Sequence, residues 1–103
     1  MRAGSGEPLV LLHGLGGSQT VWRPVVDLLA PEREVLTLDM PGFGGAPELP
    51  TGIEPSAANL AAAIQQRCAT LGIDRPHVAG NSLGGWVALE LAGMHPDQDP
   101  GGL

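Results

Sequence analysis

Residues 80–84, Gly80-Asn81-Ser82-Leu83-Gly84, place one serine between two glycines. The apolar run HVA precedes them and a second apolar run, VALELA, follows shortly after. A strand that turns sharply into a helix forces the residue at the corner into a strained backbone conformation, and glycines two positions to either side relieve the crowding. The hydroxyl is then lifted clear of the sheet, where it can attack a carbonyl carbon. The backbone N–H of Leu83 would open the following helix and could donate to the oxyanion that such an attack creates. A surface turn with a capping serine has the same five letters. The apolar runs on both sides favour the strained turn.

A second piece of chemistry is written into LLHGLGGS, residues 11–18. A glycine-rich loop directly after a buried strand can bring another backbone N–H to the same oxyanion, and Leu15 is the best-placed donor. Phosphate-binding loops look similar. Gly14 and Gly16 followed by Gln19, with Asp39 closing the next strand, give a second reading: a dinucleotide-binding module in which Asp39 holds a ribose. That reading lacks the third glycine and leaves GNSLGGW without a role.

The elements that would hold these loops follow from pattern. PLVLL, from Pro8 to Leu12, is a continuous apolar run bounded by glycine, as in a strand buried on both faces. A helix is predicted from Trp22 to Ala30, with Trp22, Val25, Val26 and Leu29 at helical spacing and Pro24 tolerated in the first turn. The next strand runs from Glu34 to Leu38. DMPGFGGAPELPTGIEP then has too much glycine and proline for a regular element. Ser56 is the expected N-cap of a helix reaching about Leu71, with Leu60, Ile64, Cys68 and Leu71 as its apolar stripe and Gly72 past its end. Pro76 to Ala79 make a third strand, and the last helix runs from the serine turn to about Met94. Strand and helix alternate three times, which argues an α/β fold with a parallel sheet and right-handed crossovers.

LVLLHGLGGS, then Trp22, then LDMPGFGG (38–45), then HVAGNSLGGWVALELA (77–92) resemble successive landmarks of the α/β-hydrolase superfamily, in its order and at its spacing. The resemblance spans about Glu7 to Pro96. It implies a serine nucleophile, Ser82, and an oxyanion hole formed by the amides of Leu15 and Leu83. It makes His13 and Gly14 part of the supporting loop and Asp39 a loop-organising residue, not the triad acid. Gly80, Asn81 and Gly84 complete the elbow. Gly45 stands where the family usually has a small serine or threonine. Dehalogenases of the superfamily carry Asp at the elbow. Serine instead implies acyl chemistry: ester, thioester, lactone or C–C bond hydrolysis, or perhydrolysis without a cofactor.

A serine nucleophile needs a base, and the base an orienting acid. The family order is serine, then acid, then histidine. After Ser82 the ionisable candidates are Glu90, His95, Asp97 and Asp99. His95 stands about 20 Å along a helix that starts at the serine. His77 precedes the serine by roughly 16 Å of extended strand. His13 is the nearest imidazole, and by resemblance it shapes the oxyanion loop and is not the base. By resemblance, too, the three strands form the middle of an eight-stranded sheet, ordered second, first, third, which leaves apolar edges open on both sides. The expectation is a single partial hydrolase domain over residues 1–103, with a loop-like tail at 95–103. It would be a fragment of a longer enzyme, weakly active or inactive alone. The cap that shapes the family's substrate pocket comes later in the chain, so acyl size and leaving group stay open.

Bulk composition excludes several classes. Five arginines, no lysine and a net charge of −6 leave no basic patch for nucleic acid. No apolar run approaches a membrane span, and the first residues lack the apolar core of a signal peptide, so the cytoplasm is the default compartment. The lone Cys68 excludes an intrachain disulfide and reads as a buried helix residue. Three scattered histidines and one cysteine give no metal-ligand spacing. Neither metal nor cofactor is indicated, and the expected partner is a small ester-like or acyl substrate. Two other roles remain open: the dinucleotide module, and a non-catalytic interaction protein that self-associates through open strand edges.

Overall fold

The structure is a computed structural model that describes residues 1–94. The tail at 95–103, with His95, Asp97 and Asp99, lies outside the described residues. Four strands form one sheet: β1 (Arg2–Ala3), β2 (Glu7–Leu12), β3 (Arg33–Leu38) and β4 (His77–Gly80). Their order is β1-β3-β2-β4. β2 pairs in parallel with β3, with Leu9 opposite Val35, and with β4, with Leu9 opposite His77. The second-first-third order of the three expected strands is therefore present. The helices are α1 (Arg23–Leu29), entered through a 3-10 turn at Gln19–Trp22, then α2 (Ala57–Thr70) and α3 (Leu83–Met94).

One expectation needs correction. The sheet has a fourth strand, and its β3 edge is not open. Arg2 and Ala3 pair antiparallel with Leu36 and Val35, and the Met1 carbonyl accepts from the Thr37 N–H at 2.8 Å. The reversal uses Gly4 and Gly6, at φ +80° and +119°. A two-residue strand has no periodicity to read, so only the pairing reveals it. Among the described residues the β4 edge pairs with β2 alone.

Alternation along the strands divides the core. Leu11 and Val35 face α1, where Val26, Val25, Leu29 and Trp22 cover them. Val10, Leu12, Leu36, Leu38 and Val78 face the other way, onto Leu60, Ala61, Ile64 and Cys68 of α2 and Val87 and Ala88 of α3. Burial of this core is the main driving force for the fold. Ser56 caps α2 by accepting from the Asn59 N–H at 3.2 Å, and Gly72 past the helix end takes φ +76°. Burial pushes the Cys68 thiol above its ordinary pKa, as suits a packing residue.

This layering positions a site. β2 and β4 are neighbours, yet the helix after β2 packs on one face of the sheet and the helix after β4 on the other. Their connecting loops must part at the carboxyl ends of the strands. That divergence is where open α/β sheets leave a crevice.

Candidate active site

Ser82 sits at the carboxyl end of β4, at its junction with α3, with φ +57°. A positive φ at a residue with a Cβ is uncommon and is held only where the surroundings enforce it. Those surroundings are the two flanking glycines. A methyl group on Gly84 would lie 2.7 Å from the His13 carbonyl oxygen, and closer still to that of Leu12. A methyl on Gly80 would run into the Gly84 carbonyl. The Gly80 and Gly84 backbones therefore touch each other, and α3 is pressed against the end of β2. The Asn81 N–H extends the β2 ladder to the Leu12 carbonyl at 3.1 Å, and the Gly84 N–H closes the turn on the Asn81 carbonyl at 2.9 Å. The Trp86 N–H on the Ser82 carbonyl begins α3.

The serine side is exposed. Among the described residues its hydroxyl has no hydrogen-bond partner, and neither has the Leu83 N–H or the Leu15 N–H. Gly14 closes the gap between loop and elbow. A methyl there would stand 3.2 Å from Ser82 Cβ and 3.7 Å from its Oγ. Leu15 follows immediately, with its side chain 75% exposed, so packing does not account for its place. The arrangement leaves a free hydroxyl with unpaired amides on the two loops that flank it.

His13 is fully buried, and both ring nitrogens are occupied. Nε2 accepts from the Met40 N–H at 2.8 Å, and Nδ1 lies 2.8 Å from the Gly14 carbonyl. An N–H can only donate, so Nε2 carries the lone pair and Nδ1–H donates to Gly14; the network assigns this tautomer. Phe43 meets the ring edge-on at 5.6 Å. No lone pair is left for Ser82. His77 sits at the opposite end of β4, where Arg33 donates to its Nδ1 at 2.7 Å. Neither imidazole of the described residues is placed to take the serine proton. Glu90 lies within α3, two turns from the serine.

Asp39 knots two loops together. The Gln19 N–H donates to Oδ1 at 2.7 Å, and the Gln19 side-chain amide to Oδ2 at 3.1 Å. The Gly45 N–H also donates to Oδ2, at 3.1 Å. Gly44 takes φ +55° beside the carboxylate, and any side chain there would strike it. Burial alone would raise the Asp39 pKa, but these hydrogen bonds from Gln19 and Gly45 outweigh it and hold the carboxyl below its ordinary value. Its contribution to stability is therefore complete above the ordinary carboxylate pKa near 4 and is lost as pH falls through the lower folded value. Asp39→Asn should lower stability by about 1–3 kcal/mol at pH 7, since one amide oxygen cannot replace two acceptors. It should also flatten the acid limb, so that urea midpoints of wild type and variant stay apart above about pH 4 and converge only below it. Parallel limbs would show that the carboxylate does not carry this linkage. Nothing local in the sequence marks Gln19 as the partner of an aspartate twenty positions on; only the fold brings the two together.

A sheet with helices on both faces, a strained serine at a strand-to-helix corner and a glycine loop beside it define an α/β protein built to present one hydroxyl above the carboxyl ends of its strands. The chain matches the alpha/beta hydrolase fold family over residues 7–98, and it belongs to that family. It is 39% identical over 100 residues to the pimeloyl-[acyl-carrier protein] methyl ester esterase of Aeromonas hydrophila, covering 94% of this chain and 36% of the relative. It is also 39% identical over 94 residues to the dihydrolipoyllysine-residue acetyltransferase component of the acetoin cleaving system of Pseudomonas putida, covering 90% and 25%. A solved esterase from a marine microorganism superposes with a TM-score of 0.87 at 28% identity, covering 95% of this chain and 37% of that one. The chain thus spans about a third or less of the length of these relatives. No helix among the described residues is long and apolar enough to cross a membrane.

Proposed function

We propose that this chain carries the nucleophile and oxyanion half of a serine hydrolase acting on small acyl substrates: esters, thioesters, lactones or cleavable C–C bonds. The observation that carries the reading is Ser82 at φ +57°, wedged open by Gly80 and Gly84, with Gly14 against its side chain. The Ser82 hydroxyl attacks the acyl carbon and its proton passes to a base. The carbonyl oxygen becomes an oxyanion held by the Leu15 and Leu83 N–H groups. The leaving group departs with a proton from that base, and water then hydrolyses the acyl-serine by the same route in reverse. His13 and His77 are both otherwise engaged, so the base must come from outside the described residues. The described residues by themselves are therefore expected to turn substrate over weakly or not at all.

The dinucleotide alternative draws no support from the geometry. Both Asp39 oxygens already accept from Gln19 and Gly45, and Gly14 approaches Ser82 where a pyrophosphate would need room.

The test is the intact mass of the purified chain before and after a fluorophosphonate probe, beside Ser82→Ala. Slow labelling of the wild type that vanishes in the variant is the expected result. Labelling retained in Ser82→Ala would overturn the assignment. Rapid turnover of an activated ester by the wild type would overturn the missing base.

A further inference from the structure

We propose that Gln19 is a positioning residue for the oxyanion hole: it locks the far end of the 13–18 loop to the end of β3 and so holds the Leu15 N–H in place. The inference rests on the reading of Leu15 as an oxyanion donor.

The loop is tethered twice, and both tethers land on consecutive residues. At its near end the His13 ring accepts from the Met40 N–H. At its far end the backbone and side chain of Gln19 both donate to Asp39. The rest of the Gln19 amide is also used, because the hydroxyl of buried Thr37 lies 3.0 Å from Oε1. The Asp39 carboxylate can only accept and the Met1 ammonium can only donate, so the amide points its nitrogen toward Asp39 and its oxygen toward Met1 and Thr37. Residues 13–19 thus form a closed bracket on the segment 37–40.

The peptide inside the bracket is aimed from behind. The Gly14 carbonyl accepts from His13 Nδ1 at 2.8 Å and from the Gly17 N–H at 3.1 Å. In a planar trans peptide the N–H points opposite to the C=O. Gripping the Gly14 carbonyl on one side therefore directs the Leu15 N–H to the other. Three glycines lie among residues 14–17, and such a stretch can flip a peptide at little steric cost. His13 restrains one end only. With the Gln19 end released, the bracket opens and the Leu15 peptide is free to turn.

The test uses the full chain labelled with ¹⁵N and two variants. Gln19→Leu removes the side-chain bonds without adding charge. Gln19→Glu keeps the shape but sets an oxygen against Asp39 Oδ2 where a donor stood. Besides Asp39, the charged groups around position 19 are the Met1 amino group, which donates to Oε1, Arg23 across one hollow, and Arg2, Glu48 and Arg67 around the larger hollow that Gln19 and Asp39 also line. In both variants the Leu15 and Gly17 amide signals should shift, and Gly17 protection from exchange should fall about tenfold. The α2 amides of Ala61 and Ile64 should stay in place. The pH dependence separates positioning from plain stability. Wild-type loop protection should decline as acid titrates Asp39. Gln19→Glu should instead recover as pH falls, when the facing carboxyls come to share a proton.

Unchanged Leu15 and Gly17 signals in both variants would overturn the proposal. So would loss of protection at Gly17 and in α2 to the same degree, which would make Gln19 a general stabiliser. The rate of fluorophosphonate labelling at Ser82, read on the same samples, should fall with the loop signals. A wild type that never labels would count against the nucleophile reading, and the amide signals would still decide the role of Gln19.

Discussion

Gly84→Ala is expected to unfold this protein or bring it close to unfolding. One methyl group would collide with two backbone carbonyls, those of Leu12 and His13. Neither is the end of a flexible side chain, and both belong to the terminus of the central strand. Relief requires α3 to lift off β2, which would strip Val87 and Ala88 from the core they share with Leu12 and Val10. Overpacking usually costs about 1–3 kcal/mol, and a collision with fixed backbone belongs at or beyond the upper end. A domain of this size has about 5–15 kcal/mol in all, with small ones near the bottom. The urea midpoint should therefore fall by 1 M or more, by roughly 3 kcal/mol divided by a slope of about 1–3 kcal/mol/M. Gly93 is the control on the same helix. Among the described residues nothing lies within 4 Å of where its methyl would go, so Gly93→Ala should stabilise by about 0.5–1 kcal/mol through helix propensity. Equal effects at the two positions would show that α3 does not press on β2 as described. The same contact ties stability to function, because the residue that α3 must bring down onto β2 is two positions from Ser82.

His13→Ala should be at least as damaging, for a different reason. The ring is 0% exposed and joins the 13–18 loop to the end of β3 through Gly14 and Met40. Removing it leaves a cavity beside Phe43, a Met40 N–H without an acceptor and a Gly14 carbonyl with one donor fewer. Large-to-small changes of this size cost about 3–5 kcal/mol, and the unpaired amide adds about 1–3 kcal/mol. His13→Gln still offers one donor and one acceptor and should recover part of the loss. The pair also tests whether His13 is the missing base. In a stabilised background, His13→Gln should keep much of the Ser82 labelling, because the imidazole has no free lone pair to give. Complete loss of labelling with stability intact would reverse that assignment and make His13 a proton acceptor.

The elements and the serine corner were legible in the sequence for a local reason. Apolar runs broken by glycine mark buried strands, the 3.6-residue stripe marks α2, and Ser56 and Gly72 punctuate its ends. A strained strand-to-helix turn likewise needs Gly80, Ser82 and Gly84 within five residues, so it is written contiguously. Strand boundaries moved by about one residue, and the first helix resolved into a 3-10 turn followed by α1. These are small shifts, because chain ends of elements are set by packing more than by propensity.

What governs the site across distance was not legible. That His13 faces Met40, that Gln19 grips Asp39, and that two residues at the amino end cover the β3 edge are contacts between segments about twenty to thirty-five positions apart. Such partners are chosen when the sheet brings strand ends together, and residue type alone does not announce them. The sequence by itself determined that a serine would stand at a sharp turn between a buried strand and a helix, because backbone strain and periodicity are short-range. Only the tertiary structure decided that the His13 and His77 rings are both spent on other partners and that the 13–18 loop is held at both ends by the close of β3. Hydrogen-bond partners are settled by which groups burial leaves facing one another, and that is a property of the packed fold.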